Sequence, residues 1–140
     1  STVDYTLVKA YILKFCKEYD VQEVCYDKWN ALQLVHELEQ EGLLMVEIEQ
    51  SVRMLTDATK KFRECVYNLT LKHYQDKLLK WSVGNARLFV DASENIKITK
   101  KKSIDRIDPV AALINAFKRA SDGEEIVNYN EVILSEDWGF

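Results

Sequence analysis

Three aspartates stand at positions where side chains could hold a metal ion. Asp27 directly follows a β-branched and aromatic run that predicts a strand, and Asp108 precedes Pro109 at a predicted helix start. Asp105 lies three residues before Asp108. Carboxylates are hard oxygen donors that suit Mg²⁺ or Mn²⁺. Helix capping is an alternative explanation for the same residues. Asp108 before Pro109 is typical of an N-cap, and Asp27 with Asn30 could open the next helix. The spacing alone favours capping over metal binding.

Basic residues are concentrated ahead of Asp108. Residues 72–106 contain nine lysines and arginines and four acids, a net charge of +5, so the remainder of this chain of net charge −4 carries −9. A positive segment beside a candidate metal carboxylate suits phosphodiester cleavage, because it attracts the nucleic-acid backbone. A solvated hairpin with ordinary surface lysines is an equal alternative. His73 lies in this basic segment and could contact a phosphate, although a structural role is favoured.

Other chemistries lack support in the sequence. There is no glycine-rich phosphate loop, and His36 and His73 form no Ser/His/Asp or Cys/His arrangement. The three cysteines have neither CxxC spacing nor a nearby histidine, which predicts reduced thiols in a reducing cytoplasm. The longest apolar stretches fall far short of the ~20 residues that a membrane span requires.

The predicted elements form one mixed α/β domain in the order αβαβααββα. Apolar residues at three- and four-residue steps predict the first helix, from Tyr5 to Tyr19. Two strands on either side of a second helix predict a parallel βαβ unit, which places Asp27 at the carboxyl end of a strand, where such folds keep their chemistry. Thr56 and Asp76 are the predicted N-caps of the next two helices. A hairpin over 86–100 and a helix from Asp108 to about residue 121 follow.

The order and spacing of several segments resemble the nuclease half of tailed-phage large terminase subunits, over about residues 4 to 120. These segments are Tyr26–Ala31, Leu38–Gly42, Glu49–Ser51, Leu71–His73, Lys80–Asn85 and Lys101–Leu113.

The resemblance implies a ribonuclease-H-like mixed sheet flanked by helices, with an acidic cluster that binds two Mg²⁺ or Mn²⁺ ions. Asp27 and Asp108 would be catalytic metal ligands, and Asp105 a weaker third. Basic and polar residues would bind the DNA backbone without reading its sequence. The candidates for that role are Lys100, Lys101, Lys102, Arg106, His73 and Asn85.

Further expectations concern the protein's context. The resemblance implies double-stranded DNA, a portal protein and the small terminase subunit as partners in the bacterial host cytoplasm. It also implies an N-terminally truncated nuclease domain over residues 1–121, because the family's first metal carboxylate lies on a strand that precedes the opening helix. Weak metal binding, no appreciable cleavage and some self-association are therefore expected.

Two alternative functions remain at this point. Residues 122–140 form a predicted acidic tail, which suits a protein contact better than DNA and favours a non-catalytic interaction module that docks to a portal or another packaging protein. Another metal-dependent nuclease of the same fold, such as a resolvase, is a third and less favoured interpretation.

Overall fold

The computed structural model describes residues 2–29 and 31–122, and the elements within these ranges follow the predicted order. The helices are α1 (Tyr5–Glu18), α2 (Leu32–Gln40), α3 (Val52–Tyr67), α4 (Lys77–Asn85) and α5 (Asp108–Asp122). The strands are β1 (Val24–Tyr26), β2 (Met45–Glu47), β3 (Leu88–Val90) and β4 (Ile96–Ile98). The mixed α/β class is confirmed. Asn30 and the predicted acidic tail beyond Asp122 lie outside the described residues.

The chain divides into two compact units, the amino-terminal unit (residues 1–49) and the carboxyl-terminal unit (from residue 50 onward). In the amino-terminal unit, β1 and β2 pair in parallel, with Tyr26 opposite Glu47. Helix α2 connects the two strands and buries Leu38 completely. Gly42 follows α2 with φ +89, a left-handed conformation that glycine adopts at little cost. The predicted βαβ unit is therefore confirmed.

Helix α3 opens the carboxyl-terminal unit and begins four residues before the predicted cap. Ser51 is its N-cap, and its hydroxyl accepts the Met54 N–H at 3.3 Å. The predicted cap, Thr56, is instead a buried residue in the body of α3, where its Oγ1 accepts the Ile96 N–H at 2.7 Å. The prediction that Thr56 caps a helix was wrong. A threonine before an apolar helix face has the same sequence pattern whether its hydroxyl bonds to the next turn or to a residue 40 positions away.

The core of the carboxyl-terminal unit lies between α3, α4, α5 and the hairpin formed by β3 and β4. Phe62 of α3 meets Phe117 of α5 edge to face, with ring centroids 5.8 Å apart. Ile107, Val110 and Ile114 are almost fully buried and fix the start of α5 against this core. The start of α5, which carries Asp108, is thus one of the most firmly packed parts of this unit.

Helix lengths and hydropathy also bear on membrane insertion. Within residues 2–29 and 31–122, every helix is too short or too polar to cross a lipid bilayer.

Candidate nucleic-acid interface

The segment between β4 and α5, residues 99–107, carries four of the predicted DNA-binding residues and is called the lysine loop below. Lys100, Lys101 and Lys102 form an exposed turn at its tip, and Arg106 is exposed near its end. The Lys102 ammonium lies 6.0 Å from the ring centroid of Phe89 on β3. The structure therefore presents these basic side chains to solvent from one short loop.

Hydrogen bonds to neighbouring elements hold the lysine loop on both sides of its tip. The Thr99 N–H donates to the Arg87 carbonyl at 3.0 Å, and the Arg87 N–H donates to Ser103 Oγ at 3.3 Å. Ser103 Oγ in turn donates to the Thr99 carbonyl at 2.6 Å. The Ile104 N–H donates to the Asn85 carbonyl at 3.2 Å. These contacts tie the loop to the end of α4 and the start of the hairpin.

Asn85 is buried, with 8% of its surface exposed, at the last position of α4. Its side-chain Nδ2 donates to the Arg106 carbonyl at 3.2 Å, across 21 residues of sequence. A buried amide that is hydrogen-bonded to backbone satisfies the protein rather than a ligand. The structure thus places Asn85 behind the lysine loop, whereas the sequence prediction had it contacting DNA.

Asp108 begins α5, and its carboxylate lies at the surface. The side chain is 63% exposed and pairs with Lys100 Nζ at 3.0 Å. The first helical carbonyl acceptor is that of Ile107, and the Val110 N–H donates to Ser82 Oγ at 3.1 Å. Because the Ala111 N–H donates to the Ile107 carbonyl, Asp108 is the first residue inside α5 and not its predicted N-cap.

Ser82 is a residue of the site that sequence reasoning missed. It is completely buried on α4. The available signal is its position beside Leu79 and Val83, which share the apolar face of α4 and pack against the core. A hydroxyl on such a face needs a buried partner, and here the partner is the first turn of α5.

Asp105 and His73 are the two remaining candidates of the carboxyl-terminal unit. Asp105 is exposed, and its Oδ1 accepts the Arg106 N–H at 2.8 Å. His73 lies in the segment between α3 and α4, half-buried, and its Nδ1 accepts the Gln75 N–H at 3.0 Å. His73 also lines a largely apolar cavity of about 620 Å³ whose wall includes Phe62 and Leu113, so its surroundings are those of a structural histidine.

Asp27 is exposed directly after β1, at the carboxyl end of a parallel strand as expected. It does not cap α2, because the N-cap of that helix is Ala31, which makes no side-chain hydrogen bond to it. Asp27 is therefore not the N-cap of α2, while Asn30, the other residue of the capping interpretation, lies outside the described residues. The two carboxylates belong to different compact units, Asp27 to the amino-terminal and Asp108 to the carboxyl-terminal unit.

The carboxylates of Asp27, Asp105 and Asp108 are the type of oxygen donor that a hard divalent cation prefers. Asp27 lies in the amino-terminal unit, and Asp105 and Asp108 lie in the carboxyl-terminal unit. Over residues 2–29 and 31–122, histidines, cysteines, aspartates and glutamates form no group of three or more that could hold a metal ion. The three cysteines are free and half-buried.

Comparison with known proteins gives consistent matches. The family model described as "Terminase large subunit, endonuclease domain" matches residues 1–124. The large terminase subunit of Enterobacteria phage HK97 is 27% identical over 126 residues, which cover 89% of this chain and 25% of that protein.

Two solved structures share the fold. The HK97 large terminase crystal structure superposes with a TM-score of 0.74 at 26% identity, over 83% of this chain and 25% of that one. The large terminase nuclease of thermophilic phage G20c gives 0.65 at 17% identity, over 85% of this chain and 64% of that one. The chain thus spans about a quarter of the HK97 protein, and the predicted ribonuclease-H-like fold is confirmed.

Proposed function

Because the chain belongs to the terminase large subunit endonuclease domain family, we propose that it is part of a phage or prophage enzyme that cuts concatemeric double-stranded DNA during genome packaging. Its place of action is then the cytoplasm of the bacterial host. Its partners are DNA, a portal protein and the small terminase subunit.

The observation that carries the proposal is the lysine loop running directly into Asp108. Three consecutive exposed lysines precede a surface carboxylate that caps no helix, and Lys100 Nζ lies 3.0 Å from that carboxylate. Lysines at such a position bind phosphates as point charges, independently of base sequence. On this proposal the lysines would bring the DNA backbone close to Asp108, the proposed metal ligand.

On the resemblance, we propose Asp27, Asp108 and, more weakly, Asp105 as ligands of the divalent metal, Mg²⁺ or Mn²⁺. Held by these carboxylates, two such ions would supply an activated water and positive charge to stabilise the attacking and leaving oxygens of a phosphodiester. The residues of this chain have simpler tasks. Lys101 and Lys102 bind the DNA backbone, and the Ser82 hydroxyl fixes the helix turn from which Asp108 projects.

These 140 residues alone are expected to bind metal weakly and to cleave DNA at no appreciable rate, because the described donors form no cluster of three. Calorimetric titration with Mn²⁺ should give weak heats that disappear in the double variant Asp27→Asn, Asp108→Asn. A plasmid-nicking assay with Mn²⁺ should show no activity above buffer. Robust Mn²⁺-dependent nicking that Asp27→Ala abolishes would contradict the expected inactivity of this chain.

DNA binding is a separate test of the proposed function. A fluorescein-labelled duplex of unrelated sequence should bind the 140-residue chain, with an affinity that falls as salt rises. The double variant Lys101→Ala, Lys102→Ala should bind more weakly, and its slope of log K against log salt should drop by about 0.9 for each lysine that contacts a phosphate. Unchanged affinity and slope would remove the lysine loop from the DNA interface.

A second candidate function is docking to another packaging protein without catalysis. The cavity of about 620 Å³ in the carboxyl-terminal unit favours it, because apolar side chains such as Leu69 and Leu71 line it and Lys77 and Lys80 add positive charge. The Mn²⁺ titration separates the two functions, since an interaction module should bind no Mn²⁺ at all.

A further inference from the structure

Asn85 and Ser103 hydrogen-bond to the lysine loop or to the residues beside it, and the resemblance gives neither of them a positioning role. We infer that both are positioning residues, which hold the lysine loop in its binding conformation before DNA arrives and do not contact DNA themselves. The inference rests on the proposed function, because it assumes that the lysine loop binds the DNA backbone.

The hydrogen bonds of the loop support this role. Asn85 holds the carboxyl-terminal side of the loop at two points, by its carbonyl to the Ile104 N–H and by its Nδ2 to the Arg106 carbonyl, each at 3.2 Å. Ser103 Oγ holds the other side, since it accepts the Arg87 N–H and donates to the Thr99 carbonyl. The tip, residues 100–102, is left exposed between these two attachments.

Burial distinguishes the proposed positioning residue Asn85 from the lysines of the loop tip. Asn85 is 8% exposed, while the side chain of Lys100 is 76% exposed. A duplex can therefore reach the ammonium groups of the tip without displacing the amide behind them. The residue that follows the loop's last attachment, Ile107, is 3% exposed and anchors the loop in the core.

Pre-organisation is the physical reason that these attachments matter for affinity. A loop that is already ordered loses less conformational entropy when its lysines engage phosphates, so more of the electrostatic interaction appears as binding. Removing an attachment should weaken binding without changing how many lysines meet phosphates. The slope of log K against log salt counts phosphate contacts, and it should therefore stay unchanged.

The experiment compares variants of the full 140-residue chain by anisotropy titration with the labelled duplex, at a temperature well below unfolding. Asn85→Ala and Ser103→Ala should each weaken binding about five- to tenfold with an unchanged salt slope, a loss of about 1.0–1.4 kcal/mol. Ser103→Thr keeps the hydroxyl and should bind like the wild type. Thr56→Val, which removes a buried hydrogen bond elsewhere in the same unit, should also leave DNA affinity unchanged.

Hydrogen exchange of the free chain tests positioning directly. In Asn85→Ala, backbone amides of residues 99–107 should exchange faster with no DNA present, whereas loss of a direct DNA contact would leave their exchange unaltered. Wild-type exchange combined with weakened binding would overturn the inference in favour of direct contact, as would wild-type affinity in both alanine variants.

The outcomes for the inference and for the proposed function are distinguishable. If the Lys101→Ala, Lys102→Ala variant loses affinity while Asn85→Ala and Ser103→Ala do not, the inference fails and the DNA interface stands. If the wild-type chain binds no duplex even at low salt, both fail.

Discussion

The hydrogen bond between α3 and the edge of the hairpin gives a sharp test of how the carboxyl-terminal unit is held together. At the two ends of the paired strands β3 and β4, backbone groups bond across the hairpin. The Asp91 N–H donates to the Asn95 carbonyl at one end, and the Thr99 N–H donates to the Arg87 carbonyl at the other. In an antiparallel ladder, bonded and non-bonded pairs alternate, so the Ile96 N–H points away from β3. It donates to Thr56 Oγ1 at 2.7 Å instead.

Thr56→Val removes this acceptor and preserves the shape of the side chain. Thr56 is 8% exposed and Ile96 5%, so water does not readily replace the lost partner. Leaving a buried N–H unpaired costs about 1–3 kcal/mol. At about 2–4 °C for each kcal/mol in a chain of this size, the melting temperature should fall by roughly 2–12 °C.

Thr59→Val is the matched control, one helical turn further along α3. Thr59 is 3% exposed, and its Oγ1 donates to the Leu55 carbonyl at 2.7 Å. That carbonyl also accepts the Thr59 N–H in the regular helical pattern, so it keeps a partner when the hydroxyl is removed. The same substitution should therefore change the free energy of unfolding by less than about 0.5 kcal/mol.

Thermal and urea unfolding followed by circular dichroism measure both variants, and amide exchange reports on Ile96 itself. Its N–H should exchange faster in Thr56→Val and at the wild-type rate in Thr59→Val. Equal destabilisation by the two substitutions would refute the reasoning, because the cost would then come from the loss of any buried hydroxyl. An unaltered Ile96 exchange rate in Thr56→Val would refute it as well.

Three further predictions follow from single contacts of the carboxyl-terminal unit. Ser82→Ala leaves the buried Val110 N–H unpaired and should cost about 1–3 kcal/mol in urea unfolding, whereas a neutral result would mean that this N–H finds another partner. The side-chain hydrogen bond from Asn95 lowers the pKa of Asp91 in the folded state. The stability that this carboxylate contributes is therefore present above the ordinary aspartate pKa of about 3.9 and is lost as pH falls through the lower folded-state value. The variant Asp91→Asn should lose less stability than the wild type between neutral pH and pH 3, and equal losses would argue against this linkage. Lys100→Ala removes an exposed ion pair and should change stability by less than about 1 kcal/mol while weakening duplex binding, and the reverse pattern would assign Lys100 a structural role.

Local signals in the sequence accounted for most of the fold. The apolar spacing that begins at Tyr5 matches α1, and Asp76 caps α4 as predicted, with its Oδ1 accepting the Leu79 N–H at 2.8 Å. The hairpin and the parallel pair also follow the predicted order. Such features depend on residues within a few positions of one another, so their pattern is written directly along the chain.

The residues of the candidate site also fall into two groups, those found from the sequence and those whose contacts depend on the tertiary structure. The sequence by itself determined which residues carry charge, and so the exposed lysines before Asp108 were found, because charged side chains stay at the surface whatever the packing behind them. Only the tertiary structure decided the partners of the uncharged polar groups. Thr56 bonds across 40 residues and Asn85 across 21, and Ser82 bonds across 28. A hydroxyl or amide has the same local sequence signature as a cap, a ligand contact or a buried tether, and its role is fixed only when distant elements pack against it and exclude water.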